Sequence, residues 1–295
     1  MDSERSWSLA SHSSGKPSYR PVPPQRVRQT PRCERPKLGH KAGEVYGLLG
    51  PNGSGKSTTI RMLTGILEPT KGTVSVCGHD MKRSPEMAKA SLGYVPDEPV
   101  LYEKLTALEF LDFVGELYSL PKAVRRAAMR EMLHLLDLED RSGDRIESYS
   151  RGMKQKVAIS AALLHNPQVL IMDEPITGLD PITVRVLKGM LRKMARSGAA
   201  ILLSTHILEV AERLCDRIGI LVDGFLVAEG TMAELSAKAP EMSVGGTTLE
   251  DIFVGLAAGE EHKDIIDSLE ADEREASIAS PRGGGPANQE RNVGA

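Results

Sequence analysis

A nine-residue segment rich in glycine, residues 50–58 (GPNGSGKST), constrains this sequence more than any other feature. A short apolar run, Val45 to Leu49, leads into it, and a run with helical composition follows. Glycine loses more conformational freedom on folding than other residues, so its repeated use beside a buried strand needs a reason. In such a loop, successive backbone N–H groups converge on one point, and small residues let the backbone approach an anion. The N-terminus of the next helix adds partial positive charge, so the segment predicts a phosphate-binding loop.

The residue types in this loop have separate tasks. Lys56 would reach the β- and γ-phosphates of a nucleoside triphosphate, and the Ser57 hydroxyl would ligate Mg²⁺. The alternative, a glycine-rich turn with a chance lysine, is disfavoured by the position of the loop between a strand and a helix. The predicted nucleotide-binding residues are Gly50, Pro51, Asn52, Gly53, Ser54, Gly55, Lys56, Ser57 and Thr58.

Four apolar runs without polar alternation dominate the rest of the pattern: residues 45–49, 169–172, 199–203 and 218–222. Such runs predict strands that are covered on both faces, and therefore a parallel sheet in an α/β layer. Shorter strands are predicted at residues 73–76 and 92–95, and a helix at residues 56–67. Residues 106–165 carry apolar residues at helical spacing. The sequence therefore predicts an α/β fold with an all-helical insertion at about residues 98–165.

Two adjacent carboxylates, Asp173 and Glu174, end one of the buried runs. Asp173 would hold Mg²⁺ through its water shell, and Glu174 would orient and deprotonate an attacking water. A plain exit from strand to loop is the alternative, since acidic residues are common there. His206 also follows a predicted strand, at the sheet edge where ligands bind in such folds, although a lone histidine is more often structural. Ser150 is a good N-cap for the helix that follows it.

Together these residues resemble the ATP-binding subunits of ABC transporters, from about Gly43 to Leu256. Residues 50–58 are similar to Walker A and residues 169–173 to Walker B, with Glu174 at the position of the catalytic glutamate. Residues 150–153 (SRGM) stand at the signature loop, residues 178–180 at the D-loop, and His206 at the switch histidine. Residues 149–156 (YSRGMKQK) and 248–253 (TLEDIF) look like the ABC-2 export branch.

The resemblance implies a P-loop NTPase fold with a RecA-type parallel core sheet, an inserted helical subdomain and a small antiparallel β part. It also implies that two copies, or this chain and a paralogous ATPase, face each other head to tail with ATP and Mg²⁺ between them. Lys56, Glu174 and His206 would be catalytic, and Ser150, Gly152 and Asp180 would complete the nucleotide site. A groove beside residues 97–120 would take a helix from a transmembrane permease subunit.

The Q-loop position departs from the family pattern because it holds Asp97 in place of glutamine. An aspartate can ligate Mg²⁺ but cannot donate a hydrogen bond, and it brings negative charge near the phosphates. We therefore expect the Mg²⁺ dependence to differ, with Asp97 joining Ser57 and Asp173 at the metal. In the signature, Arg151 and Met153 replace the usual Gly and Gln.

The N-terminal segment, residues 1–42, is rich in Ser, Pro and Arg and carries nine Lys or Arg against three Asp or Glu. This composition predicts disorder. The family normally places two strands and an adenine-stacking aromatic upstream of Walker A, but residues 24–30 offer neither. We therefore hypothesise that residues 1–42 are not the native N-terminus of the family, in which case the antiparallel β part is incomplete. Residues 43–257 would form the ATPase domain, and the acidic, then Gly/Pro-rich residues 258–295 a solvated tail.

Composition excludes several classes of protein. The net charge of −3 gives no case for general affinity for nucleic acid. The three cysteines, Cys33, Cys77 and Cys215, lack metal-ligand spacing and argue against a disulfide framework. The sequence contains no run of about 18 uncharged apolar residues, which is the length that a membrane-spanning helix needs. The expected location is therefore the cytoplasm, and the resemblance to ABC transporter subunits implies a peripheral position on the inner face of the cell membrane.

The leading interpretation is an ATPase subunit that powers export through separate transmembrane subunits. One alternative is an ABC ATPase that acts on DNA or ribosomes. The DNA type needs a long inserted coiled coil, and the ribosomal type needs two Walker A motifs in one chain, whereas this chain has a single Walker A. Another alternative is a nucleotide-binding regulator with little turnover. The transported substrate cannot be read from an ATPase subunit.

Overall fold

A computed structural model describes residues 7–10, 38–40 and 42–242 of the chain. The strands are β1 (Trp7–Ala10), β2 (Leu38–His40), β3 (Val45–Leu49), β4 (Thr73–Val76), β5 (His79–Asp80), β6 (Leu92–Val95), β7 (Val169–Asp173), β8 (Ala200–Thr205), β9 (Arg217–Val222) and β10 (Phe225–Gly230). The helices are α1 (Lys56–Leu63), α2 (Pro85–Ala90), α3 (Ala107–Leu117), α4 (Lys122–Leu135), α5 (Arg151–Leu163), α6 (Pro181–Arg196), α7 (Leu208–Leu214) and α8 (Met232–Met242).

The core of the fold is a six-stranded sheet with the order β10-β9-β3-β8-β7-β6. All neighbouring pairs are parallel except β10 and β9, which are antiparallel. Strand β3 is buried along its whole length, and its successive residues serve opposite faces: Val45 and Leu49 pack in one apolar cluster, Tyr46 and Leu48 in another. This sheet confirms the predicted α/β fold with a parallel core. Its strands are apolar throughout because helices cover both of its faces.

The helical insertion packs around its own apolar cluster. Helices α3, α4 and α5 bury Leu111, Met129 and Val157 together. Helix α3 begins with a capping box, in which the Thr106 hydroxyl accepts from the Glu109 backbone N–H and the Glu109 carboxylate accepts from the Thr106 N–H. This arrangement satisfies two backbone donors at the point where the insertion leaves the sheet.

Helix α1 is shorter than the predicted 56–67, since it ends at Leu63. The Thr64 hydroxyl donates to the Ile60 carbonyl oxygen at 2.9 Å, and Gly65 follows with a φ of 68°. A left-handed glycine at this position is a common helix terminator. The apolar residues Ile66 and Leu67 therefore lie beyond the helix, exposed at its end.

The N-terminal segment contributes two strands, β1 and β2, which lie outside the 24–30 window that offered no strand pattern. A second, antiparallel sheet has the order β2-β1-β4-β5. Strand β1 is paired with β4 from Trp7 opposite Val76 to Ala10 opposite Thr73. The four residues of β1 (WSLA) alternate too briefly to give a clear strand signal in the sequence. The rest of residues 1–41, the 248–253 segment and the tail 258–295 lie outside the described residues.

In the part of the chain that the structure describes, no helix is both long and apolar enough to cross a bilayer.

Candidate active site

Three neighbouring parallel strands end together at one edge of the core sheet. The pairing of β3 with β8 places Leu49 beside Thr205, and the pairing of β8 with β7 places Ser204 beside Asp173. The glycine-rich loop, the 173–174 pair and His206 continue from these three strand ends. The structure thus brings the predicted Walker A, Walker B and switch elements to the edge where open α/β sheets bind ligands.

The backbone of the glycine-rich loop leaves no space for a side chain at Gly50. A Cβ added there would lie 2.4 Å from the Leu221 carbonyl oxygen. Gly55, the N-cap of α1, has a φ of 102° and gives the helix no side-chain cap, so first-turn N–H groups stay available to an anion. Ser57 and Thr58 are exposed in this first turn. Of the remaining loop residues, Asn52 and Gly53 are exposed, Pro51 is half-buried and Ser54 is buried.

Lys56 is buried inside the cradle of the loop. Its Nζ donates to the carbonyl oxygen of Gly50 at 2.7 Å and to that of Pro51 at 3.1 Å. Burial lowers the pKa of Lys56, while nearby carboxylates oppose that shift. A buried ammonium group held by neutral carbonyls fits a triphosphate, which would supply opposite charge at short range.

Asp173 and Glu174 share one partner, Ser204. Asp173 is buried, and its Oδ1 accepts a hydrogen bond from the Ser204 hydroxyl. The Ser204 oxygen accepts in turn from the Glu174 backbone N–H at 3.2 Å. Glu174 has a φ of 47°, a conformation that costs a non-glycine residue about 1–3 kcal/mol. Successive side chains of a straight strand point to opposite faces. The positive φ of Glu174 bends the chain, so that both carboxylates lie at the same edge of the core sheet.

The Glu174 carboxylate lies against His206. Its Oε1 is 2.8 Å from His206 Nδ1. The glutamate side chain is 12% exposed and the histidine 43%. The second carboxylate oxygen, Oε2, is buried and has no hydrogen-bond partner among the described residues. A buried acceptor without a donor is costly, so this atom suits a bound water molecule.

The signature loop contacts the D-loop inside one chain. Ser150 caps helix α5, because its hydroxyl oxygen accepts from the Met153 backbone N–H at 3.3 Å. A Cβ added to Gly152 would lie 2.5 Å from the Gly178 carbonyl oxygen. Only glycine therefore lets the first turn of α5 pack directly on the loop that follows Walker B.

Asp180 has a structural task in this chain as well as its predicted one. Its carboxylate caps α6 by accepting from the Thr183 N–H at 2.9 Å and from the Thr183 hydroxyl at 2.5 Å. These hydrogen bonds lower the pKa of Asp180 to about 2. Lys156 of the signature helix lies 3.5 Å from the same carboxylate. The buried Gln155 donates to the Pro175 carbonyl oxygen at 3.3 Å and ties α5 to the loop after Glu174.

Asp97 is exposed just beyond the end of β6. The charges of Glu174, Asp173 and Asp97 all act to raise the pKa of Lys56, so the three carboxylates face the same ammonium group. No three His, Cys, Asp or Glu side chains of the described residues converge on a common metal position. Oxygen ligands from Asp173 and Ser57 nevertheless suit Mg²⁺, which keeps several waters and is completed by nucleotide phosphates.

Solved structures place this arrangement in a class, the ATP-binding cassettes with a P-loop. The fold is similar to a structure described as the ATP-binding subunit of an ABC transporter, with 34% identity and a TM-score of 0.75 over 85% of this chain and 99% of that one. It is also similar to a dimeric ATP-binding cassette in a post-hydrolysis state with ADP and Pi, with 25% identity and a TM-score of 0.62 over 76% and 98%.

Sequence relatives then define the family. The ABC transporter family pattern matches residues 33–177. The ATP-binding protein EcsA of Bacillus subtilis is 38% identical over 72% of this chain and 85% of its own length. The linearmycin resistance ATP-binding protein LnrL of the same organism is 39% identical over 72% and 67%. The Nod factor export ATP-binding protein I of Paraburkholderia xenovorans is 42% identical over 66% and 64%. The chain belongs to the ATP-binding subunits of ABC transporters and is an ATPase of that family.

Proposed function

We propose that this ATPase powers export through separate transmembrane subunits, and that two nucleotide-binding subunits close on ATP and part after hydrolysis. The observation that carries the proposal is the buried Glu174 carboxylate, held by His206 at the sheet edge beside the phosphate-binding loop. The names of three relatives, which refer to linearmycin resistance, Nod factor export and multidrug transport, support export over import. They give no support to the alternatives that act on DNA or ribosomes.

Glu174 is the general base in this proposal. One oxygen of the Glu174 carboxylate contacts His206 Nδ1, which holds the side chain in one orientation. The other oxygen is buried and has no hydrogen-bond partner among the described residues, so a bound water molecule can donate to it. A carboxylate with one free lone pair in a nearly dry site can orient a water molecule and take its proton. Lys56 and the N-terminus of α1 bind phosphate oxygens, and Asp173 with Ser57 supplies oxygen ligands for Mg²⁺, which when bound neutralises phosphate charge. Asp97 adds a further ligand from the end of β6.

The signature loop is the second half of a site that two subunits share. Ser150 and Gly152 stand at the N-terminus of α5, where the helix dipole favours an anion. The close approach of Gly152 to Gly178 connects this half to the loop after Glu174 in the same chain. In the closed pair, Ser150 and Gly152 of one subunit face the γ-phosphate held by Walker A of the other, and Asp180 lies at the seam. The similarity to a dimeric cassette with ADP and Pi supports this arrangement.

The transmembrane partner docks on an apolar surface beside the Q-loop. Val100 and Leu117 are exposed, and Tyr102 makes edge contacts with Phe110 and Phe113. A groove of about 300 Å³ opens nearby, lined by residues such as Ile66, Tyr94, Val114 and Tyr118. An amphipathic helix laid in such a groove buries apolar surface on both partners. This docking puts the ATPase on the inner face of the cell membrane.

Replacement of Glu174 by glutamine tests the proposal. The variant should bind ATP and form a stable pair of subunits with Mg²⁺ and ATP, while hydrolysis falls about 10²–10⁴-fold. Light scattering measures the pairing, and phosphate release measures the rate. Glu212→Gln, at an exposed position on α7, is the matched control and should change neither. The proposal is wrong if Glu174→Gln hydrolyses ATP at the rate of the unaltered protein, or if it stays monomeric at saturating ATP.

A further inference from the structure

A basic groove between α6 and α7 lies outside the nucleotide site. It has a volume of about 580 Å³ and opens to solvent. Its polar lining includes Arg185, Lys188, Arg192 and Arg213, with Glu209 as the acidic member. Glu209 is paired with Arg213 at 3.6 Å. Within the described residues, the other three basic side chains have no acidic partner within 4 Å, so the groove carries unpaired positive charge in a chain of net charge −3.

The groove also has an apolar floor, formed by residues such as Ile176, Val184, Val210 and Leu214. Lys188 is half-buried on it, and its pKa is lowered by that burial and by the charges of Arg192 and Arg213. Basic residues around apolar ones fit an acidic amphipathic peptide better than a free phosphate, because a small anion leaves the apolar floor in water.

The chain itself carries a segment of that chemistry. Residues 260–275 (EEHKDIIDSLEADERE) contain eight Asp or Glu and two Lys or Arg. Ile265, Ile266 and Leu269 are spaced so that they would share one side of a helix. The segment lies outside the described residues.

The segment is also within reach of the groove. Helix α8, which ends at Met242, packs through Leu235 in the apolar cluster that holds Leu187 of α6 and Leu214 of α7. Residues 243–259 then span at most about 60 Å when extended, compared with a radius of gyration of about 16 Å for a domain of this size. A tether of this length gives a millimolar effective concentration, so that weak charge pairs suffice.

We propose that residues 260–275 bind in the α6–α7 groove of their own chain, with carboxylates on Arg185, Lys188 and Arg192 and the apolar residues on the groove floor. The bound segment lies against the two helices that begin after the D-loop and after the switch histidine. This places an intramolecular ligand beside two motifs that take part in the ATPase cycle, without contact to the phosphate-binding loop.

Carbodiimide coupling of the full-length protein tests this contact, because it joins a carboxylate to a lysine amine only when the two touch. We expect an amide between Lys188 and a carboxylate of residues 260–275, found by peptide mass spectrometry in the monomer-sized band at micromolar concentration. Lys188→Arg keeps the charge but removes the amine, and should abolish this product. Arg185→Glu together with Arg192→Glu should lower its yield by about tenfold, since the two changes replace two exposed attractive charge pairs by repulsive ones.

Lys122, an exposed lysine at the start of α4, is the internal reference. Three results would overturn the proposal. The first is the absence of any product between Lys188 and the tail. The second is an equal yield at Lys122 and Lys188, which means that the tail is unanchored. The third is a product found only in dimer-sized species, which means that the groove binds the tail of another copy.

Discussion

Asp97 brings a third carboxylate to the phosphate end of the sheet, where Asp173 and Glu174 already stand. At short range a carboxylate repels a triphosphate and attracts its metal ion, so the residue opposes binding of free ATP and favours binding of the magnesium complex. An amide at the same position would have neither charge effect and could donate a hydrogen bond.

Replacement of Asp97 by glutamine should therefore strengthen binding of free ATP and raise the Mg²⁺ requirement of hydrolysis. Binding of ATP without Mg²⁺ should tighten by about two- to fivefold, and the Mg²⁺ concentration for half-maximal hydrolysis should rise by a similar factor, as expected for an exposed charge. Magnesium titrations of the ATPase rate and nucleotide titrations in EDTA measure both. Glu98→Gln, one residue further along and also exposed, should change neither. Unaltered rate and Mg²⁺ requirement in Asp97→Gln would contradict a metal role.

At the scale of elements, the contact between the signature helix and the D-loop depends on Gly152. An added methyl group would meet the rigid carbonyl oxygen of Gly178 at 2.5 Å. Gly152→Ala should therefore destabilise the domain by about 1–3 kcal/mol and lower the ATPase rate, because α5 must move away from the loop that follows Walker B. Gly189→Ala in α6 is the matched control: nothing lies within 4 Å of its added Cβ, so it should be neutral or slightly stabilising. Chemical denaturation of both variants measures the difference, and equal stability would contradict the contact.

The helical insertion contains a stacked pair, Tyr118 after α3 and His165 after α5, with ring centroids 3.6 Å apart, and the Tyr118 hydroxyl donates to the Leu92 carbonyl oxygen of β6 at 3.3 Å. Burial lowers the pKa of His165 to about 4, with the Leu92 carbonyl partly offsetting it. The folded protein therefore binds a proton at His165 more weakly than the unfolded chain does. As a consequence, the free energy of unfolding must fall as the pH drops from about 6.5 toward 4.

Replacement of His165 by phenylalanine should keep the stacking and remove this dependence. Between pH 7 and pH 5 the unaltered protein should lose about 1–2 kcal/mol more unfolding free energy than His165→Phe. Urea titrations at several pH values measure this difference. The comparison at pH 8 isolates packing, since the histidine is neutral in both states there. Parallel pH curves for the two proteins would show that His165 does not titrate on unfolding.

The element pattern could be predicted from the sequence wherever apolar periodicity decided it. Strands covered on both faces and the glycine-rich loop have local signals, so the parallel core and the position of Walker A were predictable. Ser204 was not predicted, because its contact with Asp173 comes from the register of two strands that are 31 residues apart. The positive φ of Glu174 could not be predicted from the local sequence either, because contacts with distant residues impose it. The end of α1 at Leu63 was missed because Thr64 and Gly65 override the apolar residues that follow.

At the scale of the whole molecule, the antiparallel sheet is built from distant parts of the chain. Strand β1 lies between β2 and β4, so it is an inner strand that provides pairing on both sides. Without β1, strand β4 keeps only the two-residue strand β5 as a neighbour. The hypothesis that residues 1–42 are foreign to the fold therefore predicts that disruption of β1 leaves the free energy of unfolding unchanged.

Replacement of Ser8 by proline tests whether β1 belongs to the fold. Ser8 is paired with Gly39 on one side and Ser75 on the other, and proline cannot donate to an inner ladder. If β1 belongs to the fold, Ser8→Pro should lower stability by about 1–3 kcal/mol and the melting temperature by about 3–10 °C for a domain of this size. Ser3→Pro, which adds the same residue ahead of the strand, should melt with the unaltered protein. Calorimetry at a fixed ATP concentration measures all three, because bound nucleotide raises the melting temperature of each. Identical melting of the three proteins would mean that the domain is stable without β1, and a strand-forming segment from another reading frame should then stabilise it when attached ahead of Gly43.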